Sequence, residues 1–160
     1  MTEREWQQQV KMQEYLDGYR EEPPRRKVYV CSQYGSRGDR STNLELAKAF
    51  TQAVIDEGSV PICPHLFLHD VLDDEIPSQR AAGMMIGLEM MRDCDEVRIF
   101  TKISKGMANE ILLADEMHIP VNIANLRCVA MPGGAERTEK EIAADLEELR
   151  NGKEHYPEAY

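Results

Sequence analysis

Residues 27–32 read KVYVCS, a short apolar run between charged and polar neighbours that is typical of a buried β-strand. A loop with two glycines, a serine and an aspartate follows at residues 33–39. Thr42 and Glu45 then form the T-x-x-E pattern of a capping box, and apolar residues recur at helical spacing until Gly58. This order of strand, loop and helix predicts the first unit of a parallel α/β sheet.

The same alternation continues along the chain. Three further strands are predicted from short apolar runs, at residues 60–63, 96–101 and 119–124. Three helices are predicted from amphipathic patterns, at residues 78–94, 106–118 and 138–150. Residues 126–131 are a candidate fifth strand. We therefore predict an α/β fold, a Rossmann-like or flavodoxin-like parallel sheet of four to five strands with helices on both faces.

The chain divides into three parts in this interpretation. Residues 1–26 form an N-terminal helical arm and a linker with two adjacent prolines, residues 27–152 form the α/β domain, and residues 153–160 form a C-terminal tail. The apolar edge of the arm is expected to pack onto the domain or onto a second subunit. A chain of 160 residues is expected to build one core and therefore one main site.

Composition excludes several classes of function. The formal net charge of −10 argues against a nucleic-acid polymer as partner, although a helix N-terminus can still bind a small anion. No apolar run approaches the ~20 residues that cross a bilayer. The charged, Gln-rich N-terminus is unlike a secretory signal, so we expect a cytoplasmic protein. Widely spaced cysteines are interpreted as reduced core thiols rather than disulfides: Cys31, Cys63, Cys94 and Cys128.

Two segments are candidates for binding or catalysis. The loop after the first strand, with Tyr34 and Arg37, lies where parallel sheets bind phosphates or sugars, although ordinary turns favour the same residue types. Residues 104–110, SKGMANE, open a helix after the third strand. Glu110 is interpreted either as a carboxylate that attacks a sugar carbon or as an ordinary acid favoured by the helix dipole. Spacing alone leaves both interpretations of Glu110 open.

Many short motifs occur in a fixed order over residues 27–122. They are VYVCS at 28–32, Tyr34, RGD at 37–39, Asn43, PICPHLF at 61–67, LDD at 72–74, GLE at 87–89, CDE at 94–96, and Ser104, Gly106, Met107 and Glu110. In this combination the chain resembles the nucleoside 2-deoxyribosyltransferase-like superfamily, in particular its poorly characterised bacterial and phage branch. The arm and the C-terminal helix lie outside the resemblance.

The resemblance implies cleavage of the N-glycosidic bond of a nucleoside or nucleoside 5′-monophosphate, with Glu110 as the nucleophile. Hydrolysis is expected in preference to deoxyribosyl transfer, without a cofactor or metal, in a homodimer or larger homo-oligomer. The residues implied to bind substrate are Ser32, Tyr34, Gly35, Arg37, Gly38, Asp39, Asn43, His65, Ser104, Gly106 and Met107.

One departure from the family pattern affects the prediction of catalysis. Characterised members carry an aspartate eight residues before the position of Asp95, and here that position is Gly87. Glu89 lies about 200° around the helix from Gly87, so it cannot replace that aspartate. His65 or another acid is expected to supply the missing group, although a structural role for His65 is equally open. The alternative function is a module that binds or senses nucleotides without cleaving them.

Three weaker signals are interpreted as structural. The group with His69, Asp70 and Glu75 contains residues that bind metals, but a solvated lid or helix start explains it more simply. Residues 132–141, PGGAERTEKE, resemble the phosphate loop of cytokinin-activating phosphoribohydrolases, but Glu136 stands where that loop needs a glycine. The arm could also serve an interaction scaffold, a third class of function.

Overall fold

The computed structural model describes residues 1–34, 40–131 and 139–152. In them, four parallel strands form one sheet in the order β2-β1-β3-β4. The strands are β1 Lys27–Cys31, β2 Val60–Ile62, β3 Glu96–Ile99 and β4 Val121–Ile123. This arrangement confirms the predicted α/β class with a parallel sheet of four strands.

Helices connect and cover the strands. They are α1 Glu3–Glu21, α2 Arg40–Asp56, α3 Pro64–Leu68, α4 Pro77–Met91, α5 Lys105–Glu116 and α6 Glu139–Asn151. A 3₁₀ turn, Leu126–Cys128, follows β4. None of these described helices is both long and apolar enough to cross a membrane.

The two faces of β1 contact different parts of the core. Val28 and Val30 pack on one face with residues of α2, while Tyr29 and Cys31 point to the opposite face and pack with residues of α4, α5 and α6. This alternation follows from the period of two residues in a strand. Because both faces are covered, β1 is apolar nearly throughout, and any polar group on it must find a partner inside the protein.

The strand order creates a crevice at one edge of the sheet. From β1 the chain crosses to β2 on one side and then returns to β3 on the other side. Loops that leave β1 and β3 therefore diverge from each other at the carboxyl ends of these strands. Open α/β sheets bind ligands at this point of reversal. Here β1 continues toward Tyr34, and α5 begins shortly after β3.

Several predictions of local structure were wrong. Residues 126–131 do not form a fifth strand, because Asn125 accepts a hydrogen bond from the backbone of Arg127 and starts the 3₁₀ turn. Cys128 in this turn is exposed, so only three of the four cysteines are buried thiols; all four are free. Helix α2 begins at Arg40, so Thr42 lies in its first turn and does not precede it as a cap. The short helix α3 was not predicted.

The arm forms a helix that stands clear of the core. Thr2 and Glu5 exchange the two hydrogen bonds of a capping box at its start. No residue of α1 is buried, and Trp6, Tyr15 and Tyr19 are all more than half exposed. The predicted burial of an apolar edge against the domain is therefore not observed in α1. Residues 153–160, the predicted tail, lie outside the described part of the chain.

Candidate functional site

A cleft lies beside the carboxyl ends of β1 and β2, with residues of α3, α4 and α5 in its walls. It has a volume of about 510 Å³, including open space at its mouth. Apolar side chains form most of its wall, with a few polar groups among them. The lining residues are Tyr29, Tyr34, Pro64, His65, Leu68, Leu72, Asp74, Gln79, Arg80, Gly83, Met84, Gly87 and Glu110.

Glu110 reaches the cleft from the side of α5 that faces the sheet. The buried residues Met107, Ala108, Ile111 and Ala114 share this side of the helix. Ser104 caps the helix by accepting a hydrogen bond from the backbone nitrogen of Met107 at 3.3 Å. Glu110 therefore occupies a position that would ordinarily hold an apolar residue, and its carboxylate is half-buried at the floor of the cleft.

Two side chains of β1 donate hydrogen bonds to this carboxylate. The hydroxyl of Tyr29 lies 3.2 Å from Oε1 of Glu110, and the thiol of Cys31 lies 3.4 Å from Oε2. Burial, together with the negative charge of Glu110, raises the pKa of Tyr29 and of Cys31 well above their ordinary values. Both groups therefore keep their protons and act as donors. One carboxylate oxygen is held by each donor.

The surroundings of Glu110 give it an unusual pKa. Burial raises the pKa to about 7, although the hydrogen bonds from Cys31 and Tyr29 act in the opposite direction. The carboxyl group is thus divided between its neutral and ionised forms near neutral pH. An acid with a raised pKa in a cleft is a candidate functional group, because the described environment of Glu110 offers its carboxylate no cation to offset the cost of burial.

Gly87 lies beside this pair, at the position where an aspartate was expected from the family pattern. A Cβ atom at Gly87 would lie 3.2 Å from the hydroxyl oxygen of Tyr29 and 3.7 Å from Cγ of Pro64. The phenol of Tyr29 thus occupies the space that a side chain at position 87 would need. Glu89 points away from the cleft and pairs with Arg92 at 3.8 Å, as its position on the helix predicts.

Tyr34 and His65 form one wall of the cleft together. Their rings stack with a centroid distance of 4.6 Å and an interplanar angle of 9°. A ring nitrogen of His65 lies 3.2 Å from the carbonyl oxygen of Ser32, and burial lowers the pKa of the imidazole despite this contact and the nearby Asp74. His65 is therefore neutral at pH 7. Arg40 lies 5.8 Å from the centre of the Tyr34 ring.

The other proposed site residues have varied positions. Within the described residues the buried hydroxyl of Ser32 has no hydrogen-bond partner, and Asn43 donates a hydrogen bond to the carbonyl oxygen of Tyr34 at 2.6 Å. Met107 is buried in the core, where its sulfur accepts a hydrogen bond from Thr101. Five of the predicted site residues do not line the cleft around Glu110: Ser32, Asn43, Ser104, Gly106 and Met107. Four others lie outside the described residues: Gly35, Arg37, Gly38 and Asp39.

Sequence reasoning missed four polar residues of the cleft: Tyr29, Asp74, Gln79 and Arg80. Tyr29 was assigned only to the strand, although a phenol in a fully buried strand needs a hydrogen-bond partner and so indicates a polar neighbour. Arg80 lies one turn before Gly83 and Met84 on the cleft side of α4. Asp74 was considered only within the LDD motif at residues 72–74 and the acidic group around it. In the described parts of the chain, no three His, Cys, Asp or Glu side chains converge in a way that could hold a metal ion.

Together these features define an α/β domain with a candidate small-molecule site beside its parallel sheet. The chain belongs to the family Domain of unknown function (DUF7768), whose model matches residues 26–124. No curated protein matches the chain. A solved 2-deoxyribosyltransferase from the psychrotolerant bacterium Bacillus psychrosaccharolyticus is similar, with a TM-score of 0.49 and 17% identity over 61% of this chain and 70% of that chain.

Proposed function

We propose that the protein cleaves the N-glycosidic bond of a nucleoside or nucleoside 5′-monophosphate, with Glu110 as the nucleophile. The observation that carries this proposal is the carboxylate of Glu110 at the floor of the cleft, held by Tyr29 and Cys31. A carboxylate that attacks a sugar must be ionised, oriented and partly shielded from water. The two donors orient one oxygen each, and the pKa of about 7 leaves a large ionised fraction at neutral pH.

The chemistry follows the double displacement of retaining glycosidases. An oxygen of Glu110 forms a bond to the anomeric carbon, the bond from that carbon to the base nitrogen breaks, and the base leaves with the electron pair. Water then attacks the same carbon, releases the sugar and restores the carboxylate. One proton from that water balances the departing base, so the sum is nucleoside plus water giving sugar plus base. Transfer to a second base is the variant in which a base replaces water.

The departing base needs a proton donor or a hydrogen bond in the transition state. Gly87 has no side chain to provide either, so we assign this task to His65 or Asp74, both of which line the cleft. Because the ring nitrogen that contacts the carbonyl oxygen of Ser32 must carry a proton, the other nitrogen of neutral His65 is an acceptor, and His65 donates to the base only in its protonated form. The negative charge of Asp74 offsets part of the effect of burial on the pKa of His65, which favours proton transfer through the imidazole.

The decisive experiment measures free base released from a panel of nucleosides and their 5′-monophosphates. The chain is compared with Glu110→Gln, which keeps the size of the side chain, and with Glu89→Gln as a matched control on an exposed surface. We expect Glu110→Gln to lose at least about a thousandfold in base release, as nucleophile variants do. Glu89→Gln should match the parent protein. Undiminished release by Glu110→Gln would reject Glu110 as the nucleophile.

A second candidate function is nucleotide binding without cleavage. The glycine at position 87 favours this function, because the aspartate that holds substrate or transfers protons in the family pattern is missing here. Calorimetry and chromatography on the same samples separate the two functions. Tight binding of a nucleotide without free base after long incubation supports a sensor, whereas base release supports the enzyme.

Self-association and a cytoplasmic location remain predictions. We expect a homodimer or a larger homo-oligomer, to which the exposed helix α1 is free to contribute. Sedimentation of the full chain tests this expectation directly, and a strictly monomeric protein at micromolar concentration would contradict it.

A further inference from the structure

A basic side chain lies in the cleft at a distance from Glu110. Arg80 belongs to the first turns of α4, is half-buried, and lines the cleft together with Gly83, Met84 and Gly87. Positions 80, 83, 84 and 87 of a helix share one side, so the whole strip faces the same space. Arg80 and Gly87 are two turns apart, a rise of about 10 Å along the helix. Gly87 in turn adjoins the hydroxyl of Tyr29.

The guanidinium of Arg80 is not committed to another side chain. Among the described residues it forms no side-chain hydrogen bond and no ion pair, whereas Arg92 of the same helix pairs with Glu89. A guanidinium carries five donors in a planar fork, so a partly buried one ordinarily faces an anion that accepts several of them.

The start of α4 adds to the preference for an anion. Ile76 precedes the helix and provides no side-chain cap, and Pro77 occupies the first turn. The side chain of Gln79 is engaged with the backbone nitrogen of Asp73 at 2.7 Å, so it does not cap the helix either. The positive end of this 15-residue helix therefore lies beside the free guanidinium. The arginine and the helix terminus are two separate sources of positive potential at one end of the cleft.

One acidic residue shares the cleft with Arg80. Asp74 lines the same space, but no ion pair within 4.0 Å joins it to Arg80 in the described part of the chain. Asp74 acts on His65 and Tyr34 instead, on the other wall. The charges of the cleft are thus divided between two carboxylates, Glu110 at its floor and Asp74 near His65 and Tyr34, and one cation, Arg80, which pairs with neither among the described residues.

From this division we propose that Arg80 binds the phosphate group of the substrate, so that the preferred substrates are nucleoside 5′-monophosphates. This inference rests on the proposed function, since the phosphate is placed relative to a sugar whose anomeric carbon meets Glu110. A phosphate offers three oxygens to the guanidinium fork and carries nearly two negative charges, a better match than any neutral group of a nucleoside. Arg80 is therefore a specificity-determining residue.

The first test compares catalytic preference. Base release is measured for each nucleoside and its 5′-monophosphate with the parent protein, Arg80→Ala and Arg80→Lys, with Arg92→Ala as the matched control on the outer side of the same helix. We expect the ratio of kcat/KM for the monophosphate over the nucleoside to fall at least about tenfold in Arg80→Ala, through KM, and to recover partly in Arg80→Lys. An unchanged ratio in Arg80→Ala overturns the proposal.

The second test separates this inference from the proposed function. Binding of ribose 5-phosphate and deoxyribose 5-phosphate is measured by calorimetry on Glu110→Gln with and without Arg80→Ala, with ribose and inorganic phosphate as comparisons. Phosphosugar binding that depends on Arg80, without base release by the parent protein, supports the phosphate subsite and rejects the enzyme. Inorganic phosphate binding equally well indicates that the site recognises free phosphate, and no binding of either phosphosugar overturns the proposal.

Discussion

The hydroxyl of Tyr29 lies 3.2 Å from a carboxylate oxygen of Glu110, and these residues are 81 positions apart in the chain. One comes from the first strand and the other from the second turn of α5. Because Tyr29 is held by the core and Glu110 by the buried side of a helix, the hydrogen bond fixes the carboxylate against a rigid wall. The chemistry of the cleft depends on this contact, and several consequences of it can be measured.

Removal of the phenolic hydroxyl should weaken base release and change its pH dependence. Ionisation of Glu110, whose pKa is about 7, should make kcat/KM of the parent protein rise with pH around neutrality. Tyr29→Phe removes a hydrogen bond that lowers the pKa of Glu110, so the rising limb should move to higher pH. We expect activity at pH 6 to 7 to fall by on the order of tenfold, and to recover in part at pH 9.

The matched control for this experiment is Tyr15→Phe, since Tyr15 is 76% exposed on α1. It should leave the pH profile in place. A Tyr29→Phe profile that keeps its midpoint while losing rate equally at all pH values would show that Tyr29 acts by packing alone.

The ionised carboxylate of Glu110 should lower the free energy of unfolding at alkaline pH. Its folded pKa of about 7 exceeds the ordinary 4.5, so the folded state holds the proton more tightly than the unfolded state. The stabilisation that comes from this bound proton is complete below pH 4.5 and is lost as pH rises through 7. Glu110→Gln stays neutral, so its free energy of unfolding should exceed that of the parent at pH 8 by at most about 3 kcal/mol, and the difference should vanish near pH 4.5.

Urea titrations at a series of pH values measure this difference. Glu89→Gln, with an exposed side chain in a surface pair, should show no such trend. A parent protein that is as stable as Glu110→Gln at every pH would contradict the raised pKa.

A methyl group at position 87 should disturb the hydrogen bond without unfolding the domain. In an open helix, alanine in place of glycine stabilises by about 1 kcal/mol. At Gly87 the new atom would lie 3.2 Å from the hydroxyl of Tyr29, so the ring must shift and the usual gain should largely disappear. We expect Gly87→Ala to reduce base release by on the order of tenfold, since small displacements of a catalytic group have large effects on rate.

Gly18→Ala provides the comparison, because nothing lies within 4 Å of the added atom at Gly18. It should strengthen α1 and leave base release unchanged. Full activity of Gly87→Ala would indicate that the position of the Tyr29 hydroxyl does not matter for catalysis.

A buried ion-pair network away from the cleft should govern stability. Glu96 is 4% exposed and accepts hydrogen bonds from Arg98 at 2.6 Å and from Arg26 at 3.1 Å. Burial by itself would raise the pKa of Glu96, but the contacts with the two arginines outweigh it and leave the pKa lowered. Arg98→Met leaves this carboxylate less compensated and should destabilise the fold by about 3 kcal/mol.

Urea denaturation at pH 7 measures the loss, with Arg20→Met as control, because Arg20 and Asp17 form an exposed pair of the kind that adds little. Acidification should reduce the difference between Arg98→Met and the parent, since the penalty disappears once Glu96 is protonated. A loss below about 0.5 kcal/mol at pH 7 would show that Arg26 alone satisfies Glu96.

Much of the fold was predictable because its signals are local. Alternation of apolar runs with helical patterns marked all four strands and most helices. The failures were also local. Residues 126–131 are apolar enough for a strand. The side chain of Asn125, however, accepts a hydrogen bond from the backbone nitrogen of Arg127, and the backbone forms a 3₁₀ turn instead. Thr42 was predicted to cap the second helix, but α2 begins two residues earlier, at Arg40. Serine, threonine and acidic residues are common both at a cap and in the first turn, so the pattern does not fix the first residue of a helix.

The candidate site was less predictable. Periodicity in the sequence specified that Tyr29 lies on a covered strand, that Glu110 lies on the buried stripe of α5, and that Gly87 lies within a helix. It contained no information on their mutual distances. The strand order and the parallel register of β1 with β3 bring these three residues to one point, and they leave Arg80 at the far end of the same cleft. Periodicity is a property of neighbouring residues, whereas a site is assembled by contacts between distant ones, and so only the folded chain reveals it.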